Sequence, residues 1–125
     1  MTGIVSRSFD SADETRPFEG GKGRMDLLNT DSGAVGRAVF EPGWKWSEHV
    51  KPIAGTDSCQ AHHVGYVVSG RMTVVMNDGE TVDLAPGNFY EIQPGHDAWV
   101  LGEERCVVLD WVGFVDYATA AGAGS

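Results

Sequence analysis

From residue 24 onward, apolar and polar positions alternate in short runs, and the runs are broken by Gly, Pro and Asn-Asp-Gly rather than by long polar stretches. Alternation over four to eight residues marks strands with one buried face, whereas a helix repeats its apolar residues every three to four positions over a longer span. Eight such runs predict eight strands: "RMDLLNT" (24–30), "AVGRAVFEP" (34–42), "AHHVGYVVSG" (61–70), "RMTVVMN" (71–77), "ETVDLA" (80–85), "NFYEIQ" (88–93), "DAWVLG" (97–102) and "RCVVLDWVGF" (105–114). Asn77-Asp78-Gly79 reads as a tight hairpin turn, because Asp-Gly accepts the positive φ angles of a primed turn. Pro86-Gly87 and Pro94-Gly95 read as two further turns, the proline fixing φ and the glycine taking a left-handed position. The expected fold class is all-β, a sandwich or barrel with little or no helix.

The flanks behave differently. "SADE" (11–14) has the form of a capping box, but no apolar periodic run follows for it to cap, so 1–23 reads as an irregular N-terminal arm. The barrel domain is expected over 24–117. "ATAAGAGS" (118–125) is small in composition and reads as a flexible C-terminal tail.

Composition narrows the function classes. The 125 residues suit one domain, and 42% hydrophobic with 22% charged residues supply a core of ordinary size. A formal charge of −9 makes nucleic acid and anionic membrane surfaces poor partners. No apolar run approaches the roughly 20 residues of a membrane helix. The N-terminus lacks a basic region followed by an apolar stretch, so the expected compartment is the cytoplasm. Cys59 and Cys106 show no disulfide or CxxC spacing and read as two reduced thiols.

One long stretch carries a family likeness. "HVGYVVSGRMTVVMNDGETVDLAPGNFYEIQPGHDAWVL" resembles the two motifs of a small single-domain cupin of the cupin-2 type, a strand-Gly-strand followed by paired Pro-Gly turns, and the likeness extends over roughly 34–111. The resemblance implies a double-stranded β-helix, or jelly roll, with both motifs lining one barrel mouth. In metal-binding cupins the first motif supplies His-x-His and then a glutamate seven residues before its glycine, and the second supplies one more histidine. With Gly70 as that glycine, the glutamate position falls on His63. "PGWKWSEHVK" resembles the strand of the paired histidines, which puts His49 and Lys51 at those positions. The last histidine position is Ala98, with His96 two residues earlier and therefore on the same face of an extended strand.

All four histidines, at 49, 62, 63 and 96, thus lie in segments that this fold would gather at one mouth. Imidazoles converging from different strands suit Zn, Fe, Ni, Mn or Cu. The expected metal ligands are His49, His63 and His96, with Cys59 as a fourth because it shares parity with His63. His62 has the opposite parity and is expected on the outer face, while Glu48 and Glu91 read as surface carboxylates. Lys51, Tyr66 and Trp99 are the expected substrate-pocket residues, with the loop "KPIAGTDSCQ" (51–60) as a rim or lid; Lys51 holds an anionic group if it faces inward and is merely exposed if that loop bends away. The remaining aromatics, Trp44, Trp46, Phe89, Tyr90, Trp111 and Phe114, read as core or subunit interface.

Three functions compete. The resemblance implies a metal-dependent protein that acts on or binds a small organic molecule, dioxygenases being its commonest activity. A metal-free isomerase, cyclase or lyase would use His63 and His96 as general acid and base. A non-enzymatic small-ligand module would use the same mouth for binding alone. The cupin resemblance implies a homodimer, with the N-terminal arm available to pair with a neighbour's sheet.

Overall fold

The computed structural model describes residues 3–112. Phe114, the C-terminal tail and the end of the expected barrel domain lie outside the described residues. The eight expected strands all form, with ends within two residues of expectation: β2 (Gly23–Thr30), β3 (Gly33–Phe40), β4 (His63–Ser69), β5 (Arg71–Met76), β6 (Thr81–Leu84), β7 (Phe89–Ile92), β8 (His96–Leu101) and β9 (Cys106–Val112). The arm is not irregular throughout. It supplies a ninth strand, β1 (Glu14–Pro17), which pairs with β2 of its own chain. Single 3-10 turns at Phe9–Ser11 and Glu19–Gly21 flank it, the first capped by Ser8 Oγ, which accepts from Asp10 N–H.

Every strand pair is antiparallel. One sheet runs β1-β2-β3-β9-β4-β7 and the other β6-β5-β8, and their inner faces close the jelly roll expected from the alternation. Gly79, Gly87 and Gly95 take φ of 97°, 90° and 95° in the three expected turns, a region that side chains with a Cβ avoid. Met25, Ala38, Val67 and Val108 from the large sheet face Met72, Val74, Leu84 and Val100 from the small one. At one end, Phe18, Phe40 and Trp44 form an aromatic cluster, with Phe40 and Trp44 centroids 4.3 Å apart. Each fully buried apolar side chain of this kind stabilises the fold by roughly 1.5–3 kcal/mol.

The segment expected to be the paired-histidine strand is helical. Backbone bonds from Glu48 and His49 to Lys45 O, and from Val50 to Trp46 O, wind α1 (Trp46–His49). Pro52 starts α2 (Lys51–Ala54), and Gly55 ends it with φ 77° and an N–H donated to Lys51 O. Two indoles hold this segment on the barrel, since Trp44 and Trp46 are each 2% exposed. Residues 51–60 are consequently a short helix and a bonded strap, with Asn77 Nδ2 donating to Ser58 Oγ.

Candidate metal centre

The inward parity of two strands and one backbone bridge assemble the site. His63 opens β4 on the face of buried Val67, and His96 opens β8 on the face of buried Val100. Cys59 reaches them from the strap, where its N–H donates to His96 O and its carbonyl accepts from Gly95 N–H, both at 2.7 Å. Cys59, His63 and His96 each offer one ligand atom, and these atoms lie within 4.8 Å of one another. All three residues are buried, and the two rings meet edge to face at 5.5 Å.

Both imidazoles are held through Nδ1. His63 Nδ1–H donates to Asp110 Oδ2 at 3.0 Å, and His96 Nδ1–H donates to Gln93 O at 2.8 Å. His63 Nε2 then faces Cys59 Sγ at 3.7 Å, and His96 also hydrogen-bonds that sulfur. A ligand histidine anchored by carboxylate or carbonyl on one nitrogen, with the other turned inward, is the usual arrangement around protein-bound transition metals. A thiolate and two imidazoles therefore make a group that could hold a metal ion.

The electrostatics favour the thiolate. Burial pushes the Cys59 thiol up, but the hydrogen bonds and positive charge of His63 and His96 outweigh it and bring it down to about 6. Burial disfavours charge on His63 as well, yet Asp110 and Cys59 together lift it to about 9. Cys106, also on the inner face but without such partners, is pushed up by burial and by Glu104 to about 12. The two thiols differ in their neighbours, not in their depth.

Asp110 is fixed by a row across three strands. Its cross-strand partner on β4 is Gly65, whose partner on β7 is Tyr90. Tyr90 Oη–H spans the glycine and donates to Asp110 Oδ2 at 3.1 Å, while Val112 N–H donates to Oδ1. A Cβ on Gly65 would stand 2.3 Å from both Tyr90 Oη and Leu109 O, so only glycine leaves that path open.

Two cavities lie near the group, with four residues common to their walls. An inner chamber of about 40 Å³ is walled by His63, His96 and Asp110 on one side and by Trp44, Trp46, Met72 and Ile92 on the other. Trp44 Nε1 is the one buried side-chain polar atom without a hydrogen-bond partner among the described residues. An outer vestibule of about 290 Å³ shares Val74, Leu84, Tyr90 and Ile92 with the chamber.

Of the residues expected at the site, the structure brings together His63, His96 and Cys59. His49 is not with them, because its helix turns it back: its Nδ1 accepts from Lys45 N–H at 3.0 Å, and its ring lies over Gly20. Lys51 takes the exposed alternative: it faces Asp57 at 3.8 Å and walls neither cavity described above. Tyr66 and Trp99 fall on the outer parity of β4 and β8, Tyr66 exposed and Trp99 beneath the Lys45 ammonium, and neither walls a cavity described above. His62 faces outward as expected and donates to the exposed Glu91. Asp110 and Tyr90 were not anticipated as site residues. The signal for Asp110 was available: it is a lone carboxylate on the parity of Cys106 and Val108, so it had to be buried and paired.

Comparison with known proteins agrees with this architecture. A structure from Rhizobium leguminosarum superposes with TM-score 0.60 at 18% identity, covering 87% of this chain and 95% of that one. A double-stranded β-helix protein from Klebsiella pneumoniae gives 0.57 at 21% identity, with 90% of each chain covered. A cupin described as a sugar phosphate isomerase, from Silicibacter pomeroyi, gives 0.59 at 18%, covering 85% and 73%. No curated protein matches in sequence. Because the family model for the cupin domain matches residues 36–112, more than half of the molecule, this chain belongs to the cupin family.

Proposed function

We propose that the protein binds one divalent transition metal through Cys59 Sγ, His63 Nε2 and His96 Nε2, and that it binds or transforms a small organic molecule in the adjoining mouth. The observation that carries this reading is the mutual approach of the three donor atoms within 4.8 Å, with both imidazoles anchored through Nδ1. Sulfur and imidazole donors suit zinc, iron, nickel or copper better than manganese, which prefers oxygen. When bound, such an ion supplies Lewis-acid polarisation of a substrate oxygen or, if it is redox-active, a site for dioxygen chemistry.

The chain's own residues have separate tasks. Asp110 keeps the His63 ring in the tautomer that offers Nε2, and Gln93 O does the same for His96. Loss of the His63 proton accompanies metal uptake. Apolar side chains make up most of the chamber wall, and the unpaired Trp44 Nε1–H offers a donor to an acceptor group on a bound molecule.

A second reading is favoured by one arrangement. Cys59 Sγ, His63 and Asp110 stand in line, the order of nucleophile, base and orienting carboxylate. In that reading the site acts without metal, with Cys59 as nucleophile and His96 as a further acid or base.

Elemental analysis of untagged protein, purified without chelator, separates the two. About one metal per chain that is lost in His63→Ala and in Cys59→Ser supports the metal centre. Metal-free protein that also fails to take up zinc or iron in titration, with a Cys59 alkylated readily by iodoacetamide, overturns it in favour of the thiol.

A further inference from the structure

We infer that the vestibule selects small organic cations, amines with an apolar body, over anions. This deepens the small-molecule reading above and rests on it. The vestibule lies where the sheets do not join, since β6 ends one sheet and β7 ends the other. Its size suits a small molecule rather than a peptide chain, and its inner wall is shared with the chamber beside His63 and His96.

The lining decides the charge. Val74, Val82, Leu84 and Phe89 form an apolar bed, and among the described residues the only ionisable groups besides the Tyr90 hydroxyl are the carboxylates of Glu80 and Glu91. Among the described residues, no lysine, arginine or histidine walls the vestibule. His62 donates one hydrogen bond to Glu91 from the outer face, and Glu80 faces the same cavity. Phe89, 62% exposed at the rim, adds an aromatic face of the kind that attracts ammonium groups. The chain as a whole carries −9, which draws cations toward the mouth and repels anions. A phosphate or carboxylate ligand would meet two carboxylates here and no cation, and Lys51, which would hold such a group if it faced inward, faces Asp57.

Three probes with one shared apolar body test the inference: phenethylamine, phenethyl alcohol and phenylacetate. Each is titrated into the full chain, metal-free and zinc-loaded, and followed by the backbone amide resonances of Val74, Val82, Leu84 and Phe89. The amine should bind about tenfold more tightly than the acid at low salt, with the alcohol between them. In Glu80→Gln/Glu91→Gln, whose changes are on exposed positions, that preference should fall to about twofold or less while the alcohol is unaffected. Equal binding of amine and acid, tighter binding of the acid, shifts at other amides, or no binding by any probe would overturn the inference. Zinc content is measured separately on the same samples. A protein that takes no zinc but still prefers the amine defeats the metal centre and leaves the cation selectivity standing.

Discussion

Among the described residues two carboxylates are buried, and they are held in rows of the same form on opposite faces of one sheet. Asp26 sits on β2 between its cross-strand partners Thr15 and Arg37, accepts from Thr15 Oγ1 at 2.9 Å and Arg37 Nη2 at 2.8 Å, and also meets Arg24. Asp110 sits in the row Asp110, Gly65, Tyr90 and accepts from His63, from Tyr90 and from the backbone. Asp26 is 3% exposed and Asp110 is fully buried, so depth does not separate them. Their partners do. Guanidinium groups stay charged at all accessible pH and lock Asp26 into a structural ion pair. Asp110 instead supports an imidazole that faces a cavity and a thiol, so its charge is transmitted to a group that can exchange protons or bind metal.

Removing the carboxylates should separate the two rows most strongly. Asp110→Ala leaves His63 and the Tyr90 hydroxyl buried without their acceptor, and should cost about 3–5 kcal/mol in urea unfolding of the metal-free protein. Asp110→Asn, which keeps the volume, should weaken metal binding about 10–100-fold in zinc titration. Asp26→Ala should cost about 1.5–3 kcal/mol, because Arg37 is partly solvated, and should leave zinc affinity unchanged. A loss of zinc affinity in the Asp26 variant would mean that both rows serve the site.

Gly65→Ala sharpens the same comparison without touching either carboxylate. The added methyl would press on Tyr90 Oη and on a carbonyl of β9, which cannot yield as a side-chain end can. We expect a loss of about 1–3 kcal/mol from overpacking, accompanied by weaker zinc binding as Tyr90 is pushed from Asp110. Tyr90→Phe should reproduce the weaker zinc binding with a stability cost of about 1.5 kcal/mol or less. If Gly65→Ala lost stability alone, the row would be packing and not support for His63.

How much of this was legible in the amino-acid order depends on which physical rule governed each residue. Strand alternation is local, so all eight runs could be read directly, whereas which parity faces inward at His63 and His96, and so outward at His62, came from the cupin resemblance. Cys59 was legible only through its parity with His63, although a backbone bridge to His96, which sequence does not show, is what holds it. His49 lies away from the group because the likeness to a strand does not hold across "WSEH", where Pro52 and Gly55 beyond it suit short helical turns. Tyr66 and Trp99 lie near the motifs along the chain, but strand alternation puts both on the outer face. β1 was missed because "ETRP" is polar and a four-residue edge strand buries too little to show a period. The support of His63 by Asp110 and Tyr90 is a three-strand contact, invisible until the register is known.

The smallest expected effect separates the rows by pH. Burial alone would raise Asp26, but the hydrogen bonds from Arg37 and Thr15 and the charges of Arg24 and Arg37 outweigh it and hold its carboxyl below the usual carboxylate range. A group with a depressed folded-state value adds stability above its unfolded value, near pH 4, and loses it as the pH falls through the folded one. Asp26 should therefore contribute its full share at neutral pH and release it progressively below about pH 4. Asp26→Asn carries no such charge to lose, so its unfolding free energy, lower than the parent's at neutral pH, should fall less steeply between about pH 5 and about pH 3. Urea unfolding at several pH values on metal-free samples measures both slopes, and parallel curves would show that the Asp26 ion pair is not what the acid limb reports. Exposed carboxylates such as Asp13, also held low by a neighbouring arginine, titrate equally in parent and variant and cancel in the difference.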